Sequence, residues 1–317
     1  MLHHRLLVYL DEVARCGTMR AASRKLNVAS SAINRQILSL EGDLGTPIFE
    51  RLPRKLRLTA AGEVLLKHVR ETLRGEQVMQ ARINDLTGLL WGRVSVATVG
   101  TVAAEVMPRV IADFRARYPR CTVDVRVVGD PVLEVQEDEV DLGIGFDLAT
   151  PAGIKMIFEV PVTLGAVVAP GHELAGRVST TIAACAGYPL VLPNAAMSMR
   201  PLLDQAFDRY GGPLLPTIET NSIELMKKAV QLGQGVAFLT PLNVAAEREG
   251  GQLIYVPLRE SGMKTLFLRC ITKTRRLANP LAPPLIRQCE ETILAIMRSV
   301  ELPALEGLDL PTQPSQA

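Results

Sequence analysis

Gly17-Thr18-Met19-Arg20-Ala21-Ala22-Ser23-Arg24-Lys25-Leu26-Asn27-Val28-Ala29-Ser30-Ser31-Ala32-Ile33-Asn34-Arg35-Gln36-Ile37-Leu38-Ser39-Leu40-Glu41 reads as two helices joined by a tight turn. Thr18 is placed to cap the first helix, in which Ala21, Ala22 and Leu26 share the inward face. The alanines leave room for a second helix to cross at close range. Asn27-Val28 makes the turn, asparagine being tolerant of the left-handed geometry that a sharp reversal needs. In the second helix Ile33, Ile37 and Leu40 point to the core, which leaves Ser30, Ser31, Asn34 and Arg35 outside. Short polar groups at the leading end of an exposed helix suit base edges in a major groove.

Outward from this pair, Ile48-Phe49 opens a strand, and Arg54 and Lys55 lie at the tip of a hairpin, positioned as a wing against phosphate or minor groove. Thr18, Arg20, Ser30, Ser31, Asn34, Arg35, Gln36, Arg51, Arg54 and Lys55 form the candidate DNA-contacting set. Charge supports this placement. Residues 1–59 hold ten Lys/Arg against five Asp/Glu, so a module of +5 is joined to a remainder of −3. A basic module on a near-neutral body is what attraction to phosphate requires.

Residues 3–66 closely resemble the DNA-binding module of LysR-type regulators. The likeness rests on Ala21-Ala22-x-x-Leu26, Leu40-Glu41-x-x-Leu44-Gly45, Ile48-Phe49-Glu50-Arg51 and Leu58-Thr59-x-Ala61-Gly62. The chain departs from the family pattern where the recognition helix opens: Ala29-Ser30-Ser31 replaces the family's Ser-Gln-Pro or Ser-Gln-Ser. Asn34 stands where the family prefers a small hydroxyl. The resemblance therefore implies the usual docking with an altered base preference, Asn34 being a candidate for adenine.

Residues 60–91 carry one long helical pattern with Thr59 as its cap and Glu63 in its first turn. Its apolar positions run Ala61, Leu65, Val69 and Leu73, then Met79, Ile83, Leu86 and Leu90. The stripe suits a coiled-coil-like dimer seam, the preferred reading, or packing on its own domain. From residue 92 strands and helices alternate, giving an α/β architecture with mostly parallel sheets. The expected fold is thus multidomain: a winged helix-turn-helix (1–59), a linker and dimerisation helix (60–91), and a two-lobed α/β effector domain (92–300). Residues 301–317, with three Pro and two Gln, are expected to be a disordered tail.

The weaker likeness of residues 92–300 to the family's effector domain, which resembles type 2 periplasmic binding proteins, carries Gly92-Arg93-Val94, Met107-Pro108, Asp141-Leu142-Gly143-Ile144 and Gly233-x-Gly235-Val236-Ala237-Phe238-Leu239. It implies lobe I over 92–162 and 266–300 and lobe II over 163–265, with an unidentified small-molecule effector between them. The matching positions are Gly100, Thr101, Asp130, Asn194, Met197, Ser198, Arg200, Asn221, Ser222 and Thr240. Asp130 favours a ligand with an amine or several hydroxyls, whereas Arg200 could hold a carboxylate; both remain open.

The family likeness further implies double-stranded DNA as a partner, self-association to a dimer or tetramer, and RNA polymerase as a further partner. Enzymatic readings find no support. Gly143-x-Gly145 and Gly233-x-Gly235 lack the third glycine of a dinucleotide loop, and neither GxxxxGK[ST] nor GxSxG occurs. The four histidines (3, 4, 68, 172) have no metal-ligand spacing, so neither metal nor cofactor is expected. Five widely spaced cysteines without a CxxC read as reduced, mostly buried thiols. With no apolar run of membrane-spanning length and no secretory signal, the reading is a cytoplasmic regulator without a membrane partner. A solute-binding protein with a fused basic module is the remaining alternative.

Overall fold

The computed structural model describes residues 4–52, 55–86, 91–195, 197, 199–211, 216–260, 263–274 and 279–305. The first sixty residues form α1 (His4–Cys16), α2 (Met19–Leu26), α3 (Ser30–Leu44) and a two-stranded antiparallel wing, β1 (Phe49–Leu52) with β2 (Lys55–Leu58). Thr18 caps α2 by accepting from the Ala21 amide at 3.2 Å, and Asn27 takes the left-handed conformation at φ 52°. The interior is built from Leu10, Val13, Ala22, Ile33 and Ile37, each no more than 1% exposed. Two of the four family motifs, those holding Glu41 and Gly62, have local mechanical reasons. Glu41 Oε1 accepts from the amides of Ile48 and Phe49 at 2.7 and 3.1 Å, tying α3 to the wing. At Gly62 the backbone passes so close to Ile48 that a Cβ would lie 2.1 Å from its carbonyl oxygen, so only glycine fits.

α4 (Ala60–Leu86) follows directly. Its apolar stripe has two fates. Leu66 and Val69 are buried in the core of the first module, with Leu65 and Leu73 packed against it. Met79 and Ile83 remain 52% and 47% exposed. The first turns thus pack on their own domain through Leu66 and Val69, as the second reading of the stripe has it, while Val64 in the first half and Met79 and Ile83 in the second half stay exposed. Leu90 lies outside the described residues.

Lobe I contains β3 (Gly92–Thr98), a π-helical turn (Val102–Val106), α5 (Met107–Arg117), β4 (Cys121–Val127), α6 (Pro131–Gln136), β5 (Leu142–Phe146) and β6 (Ile154–Val162). Lobe II contains β7 (Gly165–Val168), α7 (Ile182–Cys185), β8 (Leu190–Pro193), α8 (Arg200–Tyr210), β9 (Pro216–Thr220), α9 (Ile223–Gln231), β10 (Val236–Leu239), a 3-10 turn (Pro241–Val244), α10 (Ala245–Glu249) and β11 (Ile254–Pro257). The chain then re-enters lobe I as β12 (Leu266–Lys273) and closes with α11 (Ala282–Leu305), whose Leu285, Cys289 and Ile293 are fully buried.

The strand orders are β4-β3-β5-β12-β6 and β11-β7-β10-β8-β9. Each sheet has a parallel half built by crossover helices and an antiparallel part. "Mostly parallel" holds only for the parallel halves. β12 arrives from lobe II running the other way, so it must insert antiparallel between β5 and β6. β6 and β11 are strands that the sequence reading did not identify. The expectation of disorder from residue 301 is corrected for residues 301–305, because α11 continues through Leu305; residues 306–317 lie outside the described set.

Candidate DNA interface and ligand cavity

α3 begins at Ala29 without a side-chain cap, as its departure from the usual serine implies. With Ile33, Ile37 and Leu40 anchored below, Ser30, Ser31 and Arg35 are exposed and Asn34 is half-buried beside them. Arg20 is exposed at the start of α2, and the Thr18 hydroxyl is spent on its capping bond. Gln36 falls on another face, where with Asp43 of α3 it lines a recess against His4 and Arg5 at the start of α1. Lys55 opens β2 opposite Leu52 at the wing tip. Arg54 lies outside the described residues, and the side chain of Arg51 is not among those described. This surface is a convex helix flanked by a basic hairpin, a shape that can enter a major groove and touch the adjoining backbone.

The helix-turn-helix module also meets lobe I. Glu139, 12% exposed, accepts from Arg126 of its own lobe at 3.1 Å, from Arg15 of α1 at 3.5 Å, and from Arg70 of α4. Asp11 orients both incoming arginines at 3.0 Å. Desolvation works against the Arg126 guanidinium, but Glu139, Asp124 and Glu134 outweigh it and hold its pKa above the ordinary value.

Between the lobes lies a cavity of about 660 Å³. Gly100, Thr101 and Asp130 line it from lobe I, and Met197, Asn221 and Ser222 from lobe II. These residues come together because each follows the carboxyl end of a strand or opens a helix. Asp130 caps α6 through the Val132 and Leu133 amides, and Ser222 caps α9 through Leu225. The other expected positions stand elsewhere. Arg200 does not line the cavity: it donates to Asp204 at 2.7 Å, Glu219 at 2.9 Å and the Pro193 carbonyl at 2.8 Å. The two carboxylates hold its pKa up against desolvation, that of Asp204 most strongly. Asn194 is likewise not a lining residue. Thr240 is fully buried behind the wall, where it forms a capping box with Asn243. Ser198 lies outside the described residues.

Several lining residues escaped the sequence reading. Asn243 donates to Thr101 at 2.8 Å, bridging the lobes. Lys227, 3% exposed, is surrounded by Glu224 at 2.7 Å, Glu247 at 2.9 Å and Glu105 of lobe I at 3.1 Å. Desolvation alone would lower the Lys227 pKa, but the three carboxylates raise it well above the ordinary lysine range. One signal was available: Lys227 shares a helical face with Ile223 and Val230, and a cation in an apolar stripe demands a buried partner.

The family model described as the LysR substrate binding domain matches residues 87–293. That for the bacterial regulatory helix-turn-helix of the lysR family matches residues 4–63. A probable RuBisCO transcriptional regulator of Emiliania huxleyi is 27% identical over 300 residues, covering 92% of this chain and 94% of the relative. Among solved structures, a full-length OxyR variant from Pseudomonas aeruginosa superposes with TM-score 0.67 at 18% identity, over 92% of this chain and 95% of that one. Full-length CbnR complexed with its target DNA gives TM-score 0.61 at 21% identity, over 92% and 100%. These distant structures establish the shared fold.

Proposed function

The chain belongs to the LysR family of transcriptional regulators, and on that premise we propose which of its residues read DNA and which receive the effector. Ser30, Ser31, Asn34 and Arg35 enter the major groove on α3. Arg20, Arg51, Arg54 and Lys55 hold the phosphate backbone, and Thr18 sets the geometry from which α3 projects. The observation that carries this reading is the polar leading face of α3, raised on a core of Ile33, Ile37 and Leu40.

The effector enters the interlobe cavity against Gly100, Thr101, Asp130, Met197, Asn221 and Ser222. Two copies pair through the second half of α4, so the operator has matching two-fold symmetry. Ligand binding shifts the angle between lobes, and Glu139 with Arg15 and Arg70 passes that shift to the DNA module. RNA polymerase is the downstream partner in this scheme. Arg35→Glu tests the reading. Operator binding should be lost in gel-shift titration while the unfolding midpoint stays within about 2 °C of the parent, as for a surface change. Retained binding at unchanged salt dependence refutes the assignment.

A further inference from the structure

The charge around the interlobe cavity is lopsided. Glu105, Asp130 and Glu224 line it, and Lys227 is the cation among its described lining residues. That cation is already committed to three carboxylates, one of which, Glu247, has an oxygen that is buried and without a hydrogen-bond partner. The arginine nearest in sequence to the cavity loop, Arg200, is turned away and spent on Asp204 and Glu219. Helix starts would ordinarily welcome an anion here. Three helix starts face the cavity, and each carries a carboxylate: Asp130 caps α6, Glu224 occupies the first turn of α9, and Glu105 lies in the first turn of the π-helical segment that follows Gly100 and Thr101. Apolar side chains, Phe146, Met197 and Met199, complete the wall.

An anionic ligand would enter this space against three carboxylates with no uncommitted cation among the described lining residues to receive it. A cation would find the opposite. Glu224, 65% exposed, can turn from Lys227 to an incoming ammonium while Glu105 and Glu247 keep the lysine paired. The cavity volume lies in the range of small-molecule sites, so the ligand has room for an apolar body beyond the charged group.

We propose that the ligand of this cleft is a cationic amine with an apolar body, its ammonium held by Glu224 and Asp130 and its body against Phe146 and the two methionines. The proposal rests on the reading of the cleft as the effector site, and the test separates the two. The full-length protein is heated with 3-phenylpropylamine or agmatine, and in parallel with 3-phenylpropionate or glutarate, each at about 10 mM, where mass action makes a millimolar ligand visible. The amines should raise the unfolding midpoint and the acids should not. Glu224→Gln should weaken the amine by roughly tenfold, the loss of one charge-assisted contact. Gly100→Phe serves as the plug, because Gly100 lines the cavity and a Cβ built there meets nothing within 4 Å.

Acids that bind where amines do not, with the response abolished by the plug, overturn the charge assignment and leave the cleft reading standing. A midpoint shift that the plug leaves intact overturns the cleft reading itself. Failure of both amines at this concentration also overturns the proposed ligand class.

Discussion

Replacing Lys227 by methionine keeps the length and most of the volume of the side chain but deletes the ammonium. Three carboxylates then lose their shared partner. Glu224 is 65% exposed and turns to water, so its pair is worth about 0–1 kcal/mol. Glu105 and Glu247 are 8% and 13% exposed and cannot do so. Removing one member of a buried pair costs about 3–5 kcal/mol, a large share of the roughly 5–15 kcal/mol that holds a domain together. In urea, with a slope of about 1–3 kcal/mol per molar, the midpoint followed by circular dichroism should fall by roughly 1–5 M. Adding Glu105→Gln should return at least about 1 kcal/mol, because the stranded charge is then gone. A midpoint unchanged by Lys227→Met, or a double variant whose cost is the plain sum, refutes the claim that this lysine holds the lobes together.

Four further outcomes are expected. Gly62→Ala should destabilise the DNA module by about 1–3 kcal/mol, read as faster amide exchange in α1 to α3, because its methyl meets the Ile48 carbonyl at 2.1 Å. On the proposed pairing through α4, Met79→Glu with Ile83→Glu should lower the mass in sedimentation to that of a monomer, since both side chains are exposed; a mass equal to the parent's removes this helix from the interface. Glu139→Gln should loosen the junction of Arg15 and Arg70 with lobe I and speed exchange in α1 and α4, and unaltered exchange would show the ion pairs idle. Finally, burial lifts the Cys185 thiol to about 11 and the Cys289 thiol to about 12, so a disulfide reagent at mildly alkaline pH should modify them only after unfolding.

Much of the DNA module was legible because its determinants lie within a few turns of one another. The Thr18 cap, the left-handed Asn27 and the inward stripe Ile33, Ile37, Leu40 are each set by local geometry and helical period. The interlobe site was only half legible. Gly100, Thr101, Asp130, Met197, Asn221 and Ser222 are strand-end or helix-start residues, and family spacing brought them together before any contact was known. Arg200 has the same kind of position, yet its fate depends on β9 delivering Glu219 beside it. Asp204, one helical turn on, is the local part of that choice; Glu219 comes to it only through the packing of β9.

The amino-acid order by itself thus determined the reading helix, the wing and the alternation that makes two lobes. Tertiary structure alone decided how α4 divides its apolar stripe, where β12 inserts, and that Lys227 meets Glu105 across 122 residues of chain. The physical reason is range. Caps, turns and periodicity act over a few residues and can be read where they stand. Burial of a charge is permitted only when distant chain segments converge on it, and that convergence belongs to the packed lobes.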